Sequence, residues 1–305
     1  MAREGLGETQ PRTDRVASDR RPRRPNDHAG GGERATGSGH RQHAPLPTRV
    51  DSLPDLPSAH GHVLEAGLAA LPLTLDGAAR EAIAGHARLL LAWNPAINLT
   101  TITEPEAVAR LHVLDSLTAV PLLAARFGIA DRRPFRLLDI GSGGGYPGLT
   151  LAAALPRARV VLVDSVAKKA RFLETVAGAT ELAGDDRVTV RAERAEAVAA
   201  GVAAGRVPPF DVVTARAVGA LADLVELAFP LLTVGGILVA WKRGDLGDEL
   251  APARRAARTL GRGSIELIDV GLDALPGHRL AVVEKRGPTP EGYPRDPGRR
   301  ARSRW

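Results

Sequence analysis

Short apolar runs alternate with helical patterns over the second half of this chain, and this alternation limits the fold more than any other feature. Five runs rich in Val, Ile and Leu, from FRLLDI at residue 135 to GGILVAWK at residue 235, are mostly separated by helical patterns. Strands joined by helices form parallel sheets whose two faces are covered. The runs SIELIDV and HRLAVVEK follow, and the link between them is too short for a crossover helix, so they should be antiparallel. We therefore predict an α/β fold with a mostly parallel seven-stranded sheet and helices on both faces.

The composition divides the chain into four parts. Residues 1–57 mix Arg, Pro, Gly, Ser and His with almost no apolar periodicity, which predicts a disordered basic extension. Residues 58–130 carry helical periodicity and form an N-terminal helical segment, in which Asp76 is placed to cap a helix. Residues 131–285 hold the predicted sheet. Residues 286–305 form a basic tail that is rich in Pro, Gly and Arg and reads as irregular.

The positive charge lies at the two ends of the chain. The formal net charge is +6, with +4 over residues 1–50 and +5 over residues 285–305, which leaves −3 for the 234 residues between them. A basic tail is suited to contact phosphate, and the alternative is a solvated end that keeps the protein soluble. The absence of Cys excludes disulfides, thiolate metal sites and Cys nucleophiles. We expect a cytoplasmic protein without a metal site, and we expect no apolar stretch near the length of a membrane span.

A glycine-rich stretch, LLDIGSGGGYPG, begins at residue 137 and follows the first predicted strand. Read from Gly143, it satisfies the dinucleotide fingerprint G-x-G-x-x-G, but that fingerprint should begin immediately after the strand. In the proper register the third glycine position is Tyr146. Asp139 lies two residues before Gly141, where it would repel a pyrophosphate and attract a ligand that carries a sulfonium and an ammonium group.

A second carboxylate supports a nucleoside ligand. Asp164 ends the second predicted strand, twenty-three residues after Gly141, and a carboxylate there can accept hydrogen bonds from both ribose hydroxyls. D-x-G-x-G-x-G at the end of the first strand resembles motif I of the class I methyltransferases, which bind S-adenosylmethionine. An NAD-dependent oxidoreductase shares the second acid but not Asp139, and a glycine-rich turn without a ligand is the third alternative.

Two sequence features that are absent reduce the number of possible methyl-acceptor atoms. Methylation of cytosine C5 needs a Cys nucleophile, and there is none. Methylation of exocyclic amines usually uses Asn or Asp followed by Pro-Pro and an aromatic residue after the fourth strand, where this chain reads VVTARAV. Guanine N7 needs neither device because it is already nucleophilic. Alignment with the methyl group then suffices, and proximity alone can supply roughly 7–11 kcal/mol.

Seven stretches, the glycine-rich one among them, occur in an order that resembles a known family. They are WNPAINLT, LHVLDS, DIGSGGGYPG, LVDSVAKKARFLETV, AERAE, VTARAV and YPRDPG, and they cover about residues 60–300. Together they resemble the bacterial small-subunit ribosomal RNA guanine-N7 methyltransferases, once called glucose-inhibited division protein B. The resemblance implies a class I, Rossmann-like fold and methyl transfer from S-adenosylmethionine to N7 of guanine 527 in 16S ribosomal RNA. The implied partner is 16S RNA or the small ribosomal subunit, and we expect a monomer.

The resemblance also implies the functional residues, position by position. The expected cofactor contacts are Asp139, Gly141, Gly143, Tyr146, Asp164, Ala195, Glu196 and Arg216, with Ala195 and Glu196 beside the adenine. The expected catalytic group is Arg216 with His112 and Asp115. His112, Asp115 and Ser116 lie on the helix that leads into the sheet, where they would close over the methyl-transfer centre.

Each of these assignments has a structural alternative. Arg216 could form an ion pair that only supports the fold, and His112 could be a satisfied core residue while Asp115 caps a helix. Trp241 is better suited to the core than to base stacking. Lys242 could contact phosphate or lie in solvent. A non-catalytic RNA-binding assembly factor on the same fold is the alternative at the level of the whole chain.

The sequence also departs from the family pattern in places. Leu111 and Pro95 stand where the family often has a basic residue. The family tail usually continues with Lys and Pro after YPR, whereas Asp296 interrupts it here. The RNA role of the tail therefore rests on weaker ground than the fold does.

Overall fold

A seven-stranded sheet forms the centre of the protein. The computed structural model describes residues 45–128 and 133–305. The strands lie in the order β3-β2-β1-β4-β5-β7-β6, and β7 runs antiparallel to β5 and β6 while the first five strands are parallel. Their bounds are β1 Phe135–Ile140, β2 Ala158–Val163, β3 Val188–Arg191, β4 Phe210–Arg216, β5 Leu232–Arg243, β6 Ser264–Asp269 and β7 His278–Glu284. The predicted sheet and its antiparallel last pair are confirmed.

Helices precede, connect and follow these strands. In the N-terminal segment they are α1 Ser58–Leu68, α2 Gly77–Ile97, α3 Pro105–Val108, α4 Asp115–Leu117 and α5 Val120–Leu123, with π-helical turns at Ala109–Leu114 and Ala124–Gly128. In the sheet region they are α6 Gly148–Ala154, α7 Ala167–Ala179, α8 Ala195–Ala203, α9 Leu221–Ala228 and α10 Gly247–Gly261. A last helix, α11 Pro297–Arg302, lies in the tail.

Side-chain alternation along the strands divides the core between the two faces of the sheet. Leu137 and Val160 pack with residues of α1, α2, α6 and α7, whereas their chain neighbours Leu138 and Val161 pack with residues of α8, α9 and α10. Because successive side chains of a strand point to opposite faces, both faces need a cover of helices. The N-terminal helical segment therefore belongs to one of the two layers of the fold.

Helix α2 begins and ends where its sequence indicates. The side chain of Asp76 accepts a hydrogen bond from the Ala79 N–H at 2.7 Å, which confirms the predicted cap. Asn98 ends the helix in the left-handed region with φ 52°. The Trp93 indole N–H donates to the carbonyl of Pro47 at 2.7 Å. The predicted disorder of residues 1–57 is therefore wrong for residues 45–57, part of which packs on the core, and residues 1–44 lie outside the described residues.

The stretch Pro105–Phe127 is long and apolar enough to cross a membrane by length and composition alone. Most of its 18-residue apolar window is buried in the protein, as in the core helix of a globular fold. Our expectation that no apolar stretch reaches this length is therefore wrong for this segment. The segment begins with α3, where Glu104 precedes the helix and Pro105 occupies its first turn, in which a proline is well tolerated.

The C-terminal tail is more regular than its composition predicts. Asp296, which departs from the family pattern, caps α11 by accepting a hydrogen bond from the Arg299 N–H at 2.9 Å. Pro297 occupies the first turn, where its missing N–H costs nothing. The expectation of an irregular tail is therefore wrong for residues 297–302.

Candidate active site

The loop between β1 and α6 takes a conformation that only glycines adopt easily. Gly141, Gly143 and Gly145 have φ values of 66°, 53° and 87°, all in the left-handed region. The Gly141 N–H donates to the carbonyl of Val163 at 2.8 Å, which ties the loop to the end of β2. The predicted glycine loop therefore forms at the carboxyl edge of the parallel strands, where ligands of open α/β sheets bind.

Asp139 lies beneath this loop and is completely buried. Its carboxylate accepts hydrogen bonds from the Thr214 hydroxyl at 2.7 Å and from the Gly148 N–H at 3.3 Å. Burial raises the pKa of Asp139 to about 6, although these bonds oppose the rise. Because its carboxylate has no exposed surface, Asp139 supports the loop from beneath, and its predicted contact with the cofactor stays a prediction.

Asp164 follows β2 and faces the same loop. One carboxylate oxygen accepts the Gly143 N–H at 2.9 Å, and the other accepts the Val166 N–H at 2.9 Å. Each oxygen of a carboxylate can accept a second bond. Asp164 therefore fixes the loop and keeps acceptor capacity for the hydroxyls of a ribose.

Arg216, at the end of β4, reaches across to the π-helical turn. Its guanidinium donates to the Leu111 carbonyl at 2.8 Å and to the Asp115 carboxylate at 3.2 Å. In an α-helix the Leu111 carbonyl would accept the Asp115 N–H, but that N–H donates to the carbonyls of Arg110 and His112 here. The π-helical turn thus frees a carbonyl that Arg216 uses, and the predicted proximity of Arg216, His112 and Asp115 is present.

His112 is held as a neutral ring with one defined tautomer. Arg216 donates to His112 Nδ1 at 2.9 Å, so the proton of His112 lies on Nε2, which donates to the Thr100 hydroxyl at 2.8 Å. Burial, and then the charge of Arg216, lower the pKa of His112 to about 3. Thr100 is positioned by Asn94, whose side-chain oxygen accepts the N–H groups of Leu99 and Thr100. The hydrogen bonds within the stretch WNPAINLT therefore position Thr100 to contact His112.

Tyr146 lies between two histidine rings. Its ring centroid is 4.1 Å from that of His86 and 4.7 Å from that of His112, with interplanar angles of 18° and 14°. His86 Nε2 donates to the Gly144 carbonyl at 2.7 Å, and burial lowers the pKa of His86 to about 4. The guanidinium carbon of Arg216 lies 5.6 Å from the Tyr146 centroid. The stack joins the glycine loop to α2 and to the π-helical turn.

Asp115 is a buried junction of four elements. Besides Arg216, its carboxylate accepts a bond from His278 Nδ1 at 2.9 Å at the start of β7. The Trp241 indole N–H, from β5, donates to the Asp115 main-chain carbonyl at 2.7 Å. The expectation that Trp241 belongs to the core agrees with its 6% exposure. Asp115 therefore balances the charge of Arg216 in a largely buried environment.

These groups line one cleft of about 720 Å³. Of the predicted site residues, the cleft is lined by Gly141, Gly143, Tyr146, His112 and Arg216. It is also lined by residues that the sequence did not single out: Thr100, Lys169, Arg243 and His278. A larger cleft of about 890 Å³ beside α2 and α7 holds none of the predicted residues. Among the described residues, no group of three His, Asp or Glu side chains is placed to hold a metal ion.

Ala195 and Glu196 do not line this cleft. They are the first two residues of α8, which follows β3 farther along the same sheet edge. Glu196 forms an ion pair with Arg300 of α11. Their predicted contact with adenine stays a prediction.

Two other singled-out residues have structural partners. Ser116 is completely buried and donates to the His112 carbonyl at 2.6 Å, so it supports the π-helical turn from behind. Lys242 donates to the Glu249 carboxylate at 2.6 Å and to the Gly219 carbonyl at 3.0 Å. Lys242 is therefore neither solvated nor free for phosphate in this structure.

The missed residues come from elements that are distant in sequence. His278 lies 163 residues after Asp115, and no local pattern connects them. Thr100 stands within the quoted stretch WNPAINLT, whose spacing was a usable signal. Lys169 and Arg243 have no ion pair among the described residues, and they supply positive charge at the cleft.

Known proteins resemble this chain clearly in sequence and more weakly in structure. The sequence model of a family described as rRNA small subunit methyltransferase G matches residues 79–271. The chain is 42% identical over 234 residues to "Ribosomal RNA small subunit methyltransferase G" of Roseiflexus sp. (strain RS-1), covering 75% of this chain and 93% of that protein. The protein of the same name from Sorangium cellulosum (strain So ce56) is 42% identical over 227 residues, covering 74% and 88%. Among solved structures, the O-methyltransferase from Bacillus cereus in complex with SAH gives a TM-score of 0.49 at 17% identity, covering 77% of this chain and 100% of that chain.

Proposed function

The chain belongs to the rRNA small subunit methyltransferase G family, and from this premise we propose that it transfers a methyl group from S-adenosylmethionine to N7 of guanine 527 in 16S ribosomal RNA. The observation that carries the proposal is the joining of the glycine loop, His112 and Arg216 in one cleft. The loop and the cluster would bring the methyl donor and the acceptor base together. Ribosomal RNA of the small subunit is the substrate named in the relatives.

The residues present fit S-adenosylmethionine. When bound, this cofactor supplies an electrophilic methyl group on a sulfonium. Gly141 and Gly143 line the cleft without side chains, so a ligand can approach the main chain of the loop. Asp164 keeps lone pairs for ribose hydroxyls. Glu196 would lie toward the adenine. Asp139 would act on the ligand through the loop conformation, because its own carboxylate is enclosed.

The chemistry of the cleft favours an acceptor that needs no general base. The unprotonated nitrogen of His112 accepts a bond from Arg216, and the carboxylate of Asp115 accepts bonds from Arg216 and His278. Neither group is free to remove a proton from a substrate. Guanine N7 carries no proton, so alignment is sufficient. An exocyclic amine, in contrast, must lose a proton during methylation.

Arg216 would organise the site without facing the reacting nitrogen. The sulfonium and the product N7-methylguanine both carry positive charge, which an unpaired guanidinium nearby would disfavour. Asp115 compensates the charge of Arg216, while His112 and the Leu111 carbonyl fix its direction. Arg216 thereby keeps His112 and Tyr146 in their places at the cleft.

The test is methyl transfer to 16S RNA with mapping of the modified base. N7-methylguanine is cleaved after borohydride reduction and aniline treatment, so wild-type protein should create one new cleavage in RNA from a strain that lacks the gene. Arg216→Ala should abolish this cleavage, and Arg255→Ala, an exposed position on α10, should not. Methylation of another atom, or binding without turnover as in an assembly factor, would overturn the proposal.

The pH dependence gives a second test of the same chemistry. With no titrating base, the single-turnover rate should be flat between about pH 7 and about pH 8, since the pKa of His112 lies near 3 and that of Asp139, beneath the loop, near 6. A bell-shaped profile with an apparent pKa in this range would contradict an acceptor that needs no deprotonation.

A further inference from the structure

The last thirteen residues, Tyr293–Trp305, form a folded segment that we call the C-terminal strap. Its anchor is Glu226 of α9, whose side chain is completely buried. The Glu226 carboxylate accepts bonds from the backbone N–H and the guanidinium of Arg295, and from the indole N–H of Trp305 at 2.6 Å. Such charge-assisted bonds in a buried place hold both ends of the strap on α9.

The strap extends from this anchor to the start of α8. Arg300, on α11, forms an ion pair with the Oε1 atom of Glu196. The side chains are only 13% and 23% exposed, so solvent screens this pair less than a surface pair. The second oxygen of Glu196, Oε2, has no hydrogen-bond partner in the described part of the chain, and it remains an acceptor.

We propose that Arg300 is a positioning residue of the cofactor site. It holds the Glu196 carboxylate in one rotamer, so that Oε2 is presented in advance to the nucleoside of S-adenosylmethionine. This inference rests on the proposed function only in placing Glu196 beside that ligand. A glutamate side chain has many rotamers, and fixing it before the ligand arrives removes part of the entropy cost of binding.

The ion pair of Arg300 and Glu196 couples docking of the strap to binding of the cofactor. If the docked strap favours cofactor binding through Glu196, the bound cofactor must favour the docked strap by the same factor. Arg299 supplies a matched control, because it neighbours Arg300 on α11, is 75% exposed and, within residues 45–128 and 133–305, forms an ion pair only with Asp296.

The experiment compares Arg300→Gln, Arg300→Lys and Arg299→Gln in the full chain by calorimetry with S-adenosylhomocysteine. Arg300→Gln should weaken binding by roughly tenfold, a typical coupling between linked sites. Arg300→Lys should restore part of the affinity, and Arg299→Gln should match the wild type. Under saturating S-adenosylmethionine, kcat on RNA should change little for Arg300→Gln while the KM for S-adenosylmethionine rises.

Hydrogen exchange separates positioning from a general loss of folding. In the wild type, S-adenosylhomocysteine should slow exchange in residues 297–302, and Arg300→Gln should remove this effect while exchange in α9 stays unchanged. The role of Arg300 would be overturned if Arg300→Gln and Arg299→Gln bound S-adenosylhomocysteine with equal affinity, or if this ligand did not slow exchange in residues 297–302 of the wild type. Either result would leave the proposed function standing. Failure of the wild type to bind S-adenosylhomocysteine at all would overturn both this inference and the proposed function.

Discussion

Replacement of Asp139 by Asn should stabilise the fold at neutral pH and have little effect at about pH 4. The carboxyl is completely buried, and burial raises its pKa from 3.8 to about 6. Between these two values only the unfolded chain ionises, so the free energy of unfolding falls as the pH rises. A pKa difference of this size corresponds to roughly 3 kcal/mol.

The substitution removes this penalty because Asn resembles the neutral carboxyl group in shape. Its oxygen still accepts the Thr214 hydroxyl, and the facing Gly148 N–H loses only a long bond of 3.3 Å. The stability difference between Asp139→Asn and the wild type should therefore be near zero at about pH 4. It should approach roughly 3 kcal/mol in favour of the variant at about pH 7.5.

Urea denaturation of the ligand-free protein across this pH range measures the difference. Thr214→Val should have the opposite effect, because the ionised carboxylate of Asp139 loses its hydroxyl donor. The free energy of unfolding of this variant should fall by about 1–3 kcal/mol at neutral pH and by much less at pH 4. A stability difference for Asp139→Asn that does not change with pH would refute the reasoning. So would a variant that is weaker at neutral pH than at pH 4, because the hydrogen bonds would then outweigh burial.

Three further substitutions test other parts of the structure. Gly145→Ala should abolish S-adenosylhomocysteine binding in calorimetry, because φ is 87° and the new Cβ would lie 2.5 Å from a methyl of Leu149; wild-type affinity would contradict this. Glu226→Gln should weaken the docking of the strap by about 1.5–3 kcal/mol, since it removes the charge from the hydrogen bonds to Arg295; trypsin should then cut the tail first, and equal cleavage rates would count against the anchor. Burial lowers the pKa of Lys285 to about 8, so wild-type stability should rise with pH between 8 and 10.5; Lys285→Met should remove this rise in urea titrations, and an unchanged slope would be the contrary result.

The fold was predictable because its signal is local. Each strand is a short apolar run, and the longer helices carry apolar periodicity, to which α2 adds its cap at Asp76. The tail was not predictable in this way, because its structure depends on the bond between Arg295 and Glu226, 69 residues apart. The composition of a segment indicates which structure it favours in isolation. It contains no information about a buried carboxylate in another element that pairs with an arginine of the segment.

The residues of the site also differ in whether the sequence alone could identify them. The glycine loop was identifiable because it follows a recognisable strand, whereas Arg216 was assigned through the resemblance to a known family. His278 and Lys169 were missed because only the folded sheet brings β7 and α7 to the same cleft. The attraction of a cationic ligand by Asp139 stays a prediction, and the structure adds that its carboxylate lies buried under the loop. A sequence shows that a carboxylate is near a loop, but not on which side of it.

The π-helical turn Ala109–Leu114 makes the length of this stretch as important as its side chains. Deletion of one residue between Leu111 and Asp115 would bring the Ser116 N–H to the α-helical spacing of four residues from the Leu111 carbonyl, where it would compete with Arg216 for that acceptor. It would also rotate the preceding chain by about 100°, which turns it away from its partners. Among related sequences, an alignment gap of one residue at this place should therefore mark lineages that have lost the chemistry, even where every residue of the cluster is retained.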